Sequence, residues 1–393
     1  MKDGLQENKL GDICTFINGM AFKPTDWVLN QKDTLPIIRI QNLNNNNSLF
    51  NYYNKTVDNK YIVNHGDLLF SWSGSKGSSF GAHIWYGDKA ILNQHIFKVI
   101  FDPKKYLKKY LFHKLNSIIP EVEDNLNGAV GLVHITKTKL TQILILTHSL
   151  NEQYRIVSIL DTAFEALSQA KIETENNLAR ANELFQSELT RIFREKGEGW
   201  EEKKLGEIAI IGSGNPAPQD KKYFENGTIP FFRTSDIGAI KVGIIKESKD
   251  YINTKITNKY KLFPAGTIVL PKSGASTFLN HRVIIGVDGF VSSHLATIIS
   301  KENVIINKFL FYMLCLVKAQ SLLQDIAYPS LNISVIENIN VWLPNLQEQS
   351  KIIDYLDNLT QLKNNITNEY STKIIMADEF KQSLLHHAFN GEL

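Results

Sequence analysis

Apolar residues follow two rhythms along this chain, and each rhythm occurs twice. In residues 1–150 and again in 196–347 they form short β-branched and aromatic runs: LPIIRI and DLLFSWS in the first stretch, TIPFFRT and TIVLPKS in the second. Gly, Asn, Ser and Pro break these runs, which predicts short strands in compact mixed α/β domains. Each stretch also holds one shorter helix, near Lys104–Leu115 and near Asn307–Val317. In residues 151–195 the rhythm changes. Apolar residues fall at Ile156, Leu160, Phe164 and Leu167, then at Leu178, Ala181, Phe185, Leu189 and Ile192. Residues 348–393 repeat it with Ile352, Leu356, Leu359, Leu362 and Ile366, then Ile374, Phe380, Leu384 and Phe389. Steps that are mostly three and four predict a long amphipathic helix in each. A ~40-residue helix spans about 60 Å, and a stripe that long needs a partner. The other copy is the nearest candidate, paired as a coiled coil; folding back onto its own domain is the alternative.

The duplication extends to the residues themselves. Lys9-Leu10-Gly11-Asp12-Ile13 recurs as Lys204-Leu205-Gly206-Glu207-Ile208, and Leu35-Pro36-Ile37-Ile38-Arg39 as Ile229-Pro230-Phe231-Phe232-Arg233. Gly66-Asp67-Leu68-Leu69-Phe70 recurs as Gly266-Thr267-Ile268-Val269-Leu270, and Asn93-Gln94-His95-Ile96 as Ser292-Ser293-His294-Leu295. Leu150-Asn151-Glu152-Gln153 matches Leu346-Gln347-Glu348-Gln349. The blocks keep their order at offsets between 194 and 200, far longer than a solenoid repeat. The expected fold is α+β: two mixed α/β domains, residues 1–150 and 196–347, separated by two long antiparallel helices, 151–195 and 348–393, and related by a pseudo-two-fold internal repeat.

Composition narrows the function. Net charge is only +3, so a nucleic-acid surface must come from local placement rather than a global basic bias. The two cysteines, Cys14 and Cys315, have no CxxC spacing, so neither a zinc site nor a disulfide framework is expected. The first residues lack a signal-peptide core, and the longest apolar run, Phe309–Val317, is far short of the roughly 18 residues a span needs. A cytoplasmic protein with no membrane association is expected. GxxxxGK[ST], HExxH and GxSxG are absent. Asn215-Pro216-Ala217-Pro218 lacks the aromatic of a methyltransferase Asn-Pro-Pro-aromatic motif. A non-catalytic chain is therefore expected.

The chain resembles the specificity subunits of type I restriction–modification enzymes. The resemblance rests on Gly199-Trp200 through Ile208, and on Gly212-Ser213-Gly214-Asn215-Pro216 through Tyr223-Phe224 to Phe232. It rests also on Leu150-Asn151-Glu152-Gln153 with Arg155-Ile156-Val157 and Leu160-Asp161, and on the end Ala388-Phe389-Asn390-Gly391-Glu392-Leu393. Asn215 stands where the family more often has threonine before the proline. The resemblance implies two target-recognition domains, each reading one half of an interrupted, asymmetric site in double-stranded DNA. It implies helices that set the spacing and dock two adenine-methylating (M) subunits, with restriction (R) subunits able to join. S-adenosylmethionine would sit in the methylation subunits, and ATP and Mg in the restriction subunit, with no cofactor in this chain. Half-site centres about one helical turn (10–10.5 bp) apart would fit a two-headed reader. The specificity subunit of another restriction type, a two-headed scaffold that binds no DNA, and an enzyme with disguised motifs are the competing readings.

Phosphate contacts give affinity and base-edge contacts give specificity. In the first domain Ser73, Ser75 and Lys76, in the loop Ser71–Ser79, are candidate contacts. In the second, Lys272, Ser273 and Ser276 are the counterparts, followed by Asn280, His281 and Arg282. A solvated hairpin tip is the alternative for both loops. Arg39 and Arg233, at matched positions, suit guanine or a phosphate, and equally an internal carboxylate. Gln41, Asn42, Ser235 and Asp236 follow them and suit base edges. Gln94 joins the set beside His95. His95 and His294 themselves read as satisfied, buried histidines, and Lys104, Lys105, Lys108 and Lys109 as a solvated helix face or a phosphate contact.

Overall fold

The computed structural model describes residues 5–45, 48–74, 80–120, 122, 133–256, 259–323 and 329–393. They form two compact units, Met1–Glu175 with Ser371–Leu393, and Asn176–Tyr370. Each unit holds one head and parts of two long helices, Leu150–Glu195 and Leu346–Phe389.

Head one is built on an antiparallel sheet in the order Cys14–Asn18, Ile96–Phe101, Leu68–Ser71, Gly81–Ile84. A second sheet sets Leu35–Ile38 between Asn51–Tyr53 and Ala90–Leu92, with Ile62–Val63 outside; Leu35–Ile38 and Ala90–Leu92 run parallel. Strands Gln6–Lys9 and Leu144–Thr147 pair where the head begins and ends. Head two repeats this plan. Its main sheet runs Ala209–Ser213, Leu295–Ser300, Ile268–Pro271, Arg282–Ile285, and adds a fifth strand, Val242–Ile245, parallel to Arg282–Ile285. Its second sheet is Tyr251–Ile252, Ile229–Phe232, Phe290–Val291, and Glu201–Lys204 pairs with Asn340–Leu343. The apolar runs supply the sheet cores: Phe16, Phe70 and Phe97 are fully buried in head one, and Phe231, Phe232 and Phe290 in head two.

The shorter helices are Lys108–Ser117 and Asn307–Leu314, each packed beneath the main sheet of its head. In unit one the first part of helix Leu150–Glu195 lies antiparallel to the end of helix Leu346–Phe389. Arg155 Nη2 donates to the Leu393 carbonyl, the Lys381 ammonium sits 5.2 Å from the Phe164 ring, and Lys171 pairs with Asp378. In unit two the roles are exchanged: Tyr355 donates to Glu188, and the Lys363 ammonium lies 4.7 Å from the Phe185 ring. Ile156, Leu160, Leu189 and Leu356 are completely buried. Leu362 and Phe380, which the periodicity assigns to the seam, are 61% and 55% exposed. The steps depart from three and four, with six residues from Ile374 to Phe380 and five from Leu384 to Phe389, so the apolar positions drift round the helix and some stay open. Both cysteines are free, with burial pushing their thiols up to about 12. No described helix is long and apolar enough to cross a membrane.

Candidate nucleic-acid interface

In each head the strand bearing the matched arginine ends in a side-chain cap. Asn42 Oδ1 accepts the Arg39 N–H at 3.0 Å, and its Nδ2 donates to the carbonyls of Ser48 and Leu49. Asp236 does the same work in head two: it accepts from Arg233 N at 2.8 Å, from Ser248 Oγ at 3.1 Å and from Lys249 N at 3.3 Å. Both are buried, so the expectation that Asn42 and Asp236 read bases is corrected. They hold the turn after the strand, because the first N–H groups of a helix need acceptors. Gln41 and Ser235, one residue earlier, are exposed.

The two arginines are held differently. The Arg39 guanidinium lies over the Trp27 ring at 5.5 Å, with no carboxylate partner among the described residues. Arg233 Nε donates to Asp250 Oδ2 at 2.5 Å while its guanidinium sits 5.1 Å from the Phe231 ring. The internal-carboxylate alternative holds for Arg233 and not for Arg39. Both are only half-buried.

The strand end, the histidine turn and the Gly-Ser loop converge in each head. In head one Asn93 N donates to the Ile38 carbonyl, and Trp72 Nε1 donates to the Gln94 carbonyl at 3.0 Å. Trp72 also packs on His95 and stacks on Phe97. Gln94 is exposed, with Nε2 at 3.1 Å from His95 Nε2. Ser73 lies in strand Ser73–Gly74, paired with Val133–His134. Ser75 and Lys76 lie outside the described residues. In head two Ser292 N donates to the Phe232 carbonyl, and Lys272 N to the His294 carbonyl. Ser273 Oγ bonds His294 Nδ1 at 2.8 Å, and Ser276 Oγ donates to the Ser273 carbonyl at 3.2 Å. His294 is exposed rather than buried, a second correction. It sits in the turn before strand Leu295–Ser300, with Ser273 Oγ as a ring partner. His95 is half-buried, and its Nδ1 has no hydrogen-bond partner. The exposed or half-exposed candidates on these segments are Arg39, Gln41, Ser73 and Gln94 in head one, and Arg233, Ser235, Lys272, Ser273 and His294 in head two.

The segment Asn280-His281-Arg282 faces elsewhere. Arg282 is 2% exposed, and its guanidinium donates to the carbonyls of Leu314, His281 and Val317. It caps the end of helix Asn307–Leu314, whose last carbonyls lack intrahelical partners. Burial lowers its pKa to about 10. Asn280, in a left-handed turn at φ 54°, accepts from Ala319 N and donates to Gln320 Oε1. His281, half-buried, is held below the usual imidazole range by burial and by the Lys241 and Arg282 charges. The expectation of DNA contact is therefore corrected for Asn280 and Arg282, whose polar atoms are spent inside the head. The basic run stays at the surface: Lys104, Lys108 and Lys109 are exposed, and Lys109 pairs with Asp161.

Sequence reasoning marked the Gln-bearing helix starts without their role. Gln153 is 1% exposed and Gln349 0%. Gln153 accepts from Leu107 N and donates to the carbonyls of Lys105 and His148; Gln349 accepts from Ile306 N and donates to Val304 and Pro344. Each thus ties a long helix to the segment before its head's shorter helix. About two turns on, Asp161 bonds Lys109 and His113, and Asp357 bonds Lys308 and Tyr312. Their recurrence at a common offset of 196 was the available signal. No group of His, Cys, Asp or Glu able to hold a metal occurs among the described residues.

Comparison with known proteins gives a consistent picture. The type I restriction modification DNA specificity domain family matches residues 2–176 and 197–374. The type I restriction enzyme EcoBI specificity subunit of Escherichia coli is 25% identical over 98% of this chain and 85% of its own length. The MjaIX specificity subunit of Methanocaldococcus jannaschii is 27% identical over 76% of this chain and 72% of its own. A chain solved in work on complex assembly and conformational transition of the type I R-M system shares the fold at TM-score 0.80 and 18% identity, covering 100% of this chain and 99% of that one. The HsdS subunit from Thermoanaerobacter tengcongensis follows at TM-score 0.57 and 17% identity, covering 100% and 98%.

Proposed function

Since this chain belongs to the type I restriction–modification DNA specificity family, we propose that its two heads read two unlike half-sites of one interrupted, asymmetric sequence in double-stranded DNA. One observation carries the reading: certain buried polar residues do the same job in both heads, while exposed residues beside them differ. Asn42 and Asp236 cap the same turn, and Gln153 and Gln349 anchor the same helix start. Beside them, Gln41 corresponds in the repeat to Ser235, and Gln94 to Ser293. Two frames of one design thus present different hydrogen-bonding groups, which is what reading two different base sequences requires.

In this reading Arg39 and Arg233 supply charge at each reading surface, Gln41, Gln94, Ser235 and Ser273 supply base-edge or phosphate bonds, and Lys272 adds a phosphate contact. Ser73 and Ser276 are further candidates in the described structure, and Ser75 and Lys76 are candidates from the sequence of the same loop. The chain performs no bond chemistry. It docks two methylation subunits carrying S-adenosylmethionine, and restriction subunits using ATP and Mg, in the cytoplasm. The apolar residues left open on the long helices, Leu184 and Leu362 in unit two and Met376 and Phe380 in unit one, are a docking surface of the kind buried only in a complex. Methylome sequencing of a host carrying this chain with its methylation subunits tests the reading. The expected product is N6-methyladenine within one bipartite, non-palindromic motif; a palindromic or uninterrupted motif overturns it.

A further inference from the structure

The main sheet of head two carries a strand, Val242–Ile245, whose place in head one no described strand fills. Hydrogen bonds fix the correspondence. Trp85 N donates to Asp67 O as Ile285 N does to Thr267 O, and Gly66 N to Trp85 O as Gly266 N to Ile285 O. Strand Gly81–Ile84 of head one is therefore the counterpart of Arg282–Ile285. In head two that strand is internal, because Val242–Ile245 runs parallel beside it, with Arg282 N donating to Lys241 O and Gly286 N to Ile245 O. Arg39 to Tyr52 spans 13 residues of sequence and Arg233 to Tyr251 spans 18, so head two carries five more. Those residues make the extra strand. Head one lacks them, and among the described residues Gly81–Ile84 is the edge of its sheet.

The vacancy is a cleft of about 600 Å³. Its walls include Leu43, Phe50, Ile84, Trp85 and Phe112. Trp85 turns its backbone toward Leu68–Ser71, so by alternation Ala82 and Ile84 turn theirs outward. Asn116 already occupies Ala82: its Oδ1 accepts the Ala82 N–H at 2.9 Å, and its Nδ2 donates to the Ala82 carbonyl at 3.2 Å. A side chain thus closes the end that Lys241 closes in head two, while Ile84 is left facing the cleft. In head two Ile245 is buried among Phe232, Ile237 and Ile285. The same position in head one opens onto Leu43, Phe50 and Trp85. The charged groups at the cleft, Lys109 and Asp161, neutralise each other, and burial holds His83 and His113 below the usual imidazole range. The cleft therefore complements an uncharged segment.

We propose that this cleft binds an extended, β-branched aliphatic segment of a partner protein, added parallel to Gly81–Ile84 as Val242–Ile245 is added to Arg282–Ile285. Backbone pairing at Ile84 gives the segment its direction, and the apolar pocket at Leu43, Phe50 and Trp85 takes its last aliphatic side chain. Exposed sheet edges are usually covered or blunted; here one end is blunted by Asn116 and the other is left open beside a pocket.

The test uses the full-length chain and a capped peptide of residues 241–247, Lys-Val-Gly-Ile-Ile-Lys-Glu, followed by tryptophan fluorescence and amide hydrogen exchange. Expected are saturable one-to-one binding, slowed exchange at the Ile84 amide, and roughly tenfold weaker binding to Ile84→Pro, which deletes the one edge donor. Proline at a solvent-facing edge position leaves the sheet able to fold, and Phe112→Arg, which blocks the cleft without touching the strand, should weaken binding alike. Three results would each overturn the proposal. The first is no saturable binding. The second is equal binding of a scrambled peptide, which would mark a general apolar pocket. The third is self-association of the chain that Ile84→Pro abolishes, which would make a second copy the occupant.

Discussion

Head one and head two share a frame and differ at its surface, and the division follows burial. Gly19 and Gly214 occupy the same crossing, where an added Cβ would lie 2.2 Å from a carbonyl oxygen of Asn93 or Val291. Gln153 and Gln349, Asp161 and Asp357, Asn42 and Asp236 each do one task twice. Where solvent or DNA is the neighbour, the copies drift apart. Arg39 rests on an indole and Arg233 on a carboxylate. A buried donor without an acceptor costs about 1–3 kcal/mol, which constrains the inside of both copies equally, whereas an exposed group is answerable only to what it binds. A second difference is chemical. The histidines His83, His113 and His148 of unit one have their pKa values lowered chiefly by burial, and their counterparts Val283, Tyr312 and Pro344 do not titrate as imidazoles.

The comparison is sharpened most by removing a doubled anchor. Gln349→Leu strands the Ile306 N–H and two carbonyls, and should cost unit two about 4 kcal/mol; Gln153→Leu should cost unit one as much. Urea unfolding of each variant reads this, and a loss under about 1 kcal/mol in either would break the equivalence. Acid should separate the units next. The folded pKa of His83, about 4, lies below its unfolded value near 6.5. Its contribution is therefore complete above pH 6.5 and lost as pH falls toward 4, to the extent of about 3 kcal/mol. Unit one should melt before unit two on acidification, and His83→Val should delay that melting; simultaneous melting that ignores the substitution contradicts it. Arg282→Met should destabilise unit two by about 2 kcal/mol by leaving three carbonyls without a donor, and should not alter the salt dependence of DNA binding. A log–log slope reduced by about 0.9 would instead make Arg282 a phosphate contact. Smallest in effect, Arg39→Ala should weaken binding at one half-site by about tenfold, roughly 1.4 kcal/mol, and Arg233→Ala by less at the other, because Asp250 already shares that charge. Binding to DNAs altered in one half-site at a time distinguishes these outcomes.

The long helices were legible because thirteen or so turns of apolar periodicity average out local noise; the first was expected over 151–195 and spans Leu150–Glu195. The repeat was legible because it preserves buried residues. The reading surface was legible only in part. Asn280-His281-Arg282 has the look of an exposed basic loop, and nothing local reveals that Leu314 and Val317 need donors for their carbonyls. Asn42 and Asp236 sit where a helix cap and a base reader share residue types, so identity alone does not separate the two roles. The inserted strand was written as a slip in offset, from 194 at Arg39 and Arg233 to 199 at Tyr52 and Tyr251. Without a structure a slip of that kind reads as loop variation.

The central claim is that each head reads one half-site independently, and exchange of residues 196–347 for the corresponding head of another family member tests it most directly. With the methylation subunits supplied, methylome sequencing should show one half of the motif replaced and the other half unchanged. A motif altered in both halves, or not altered at all, would contradict the account.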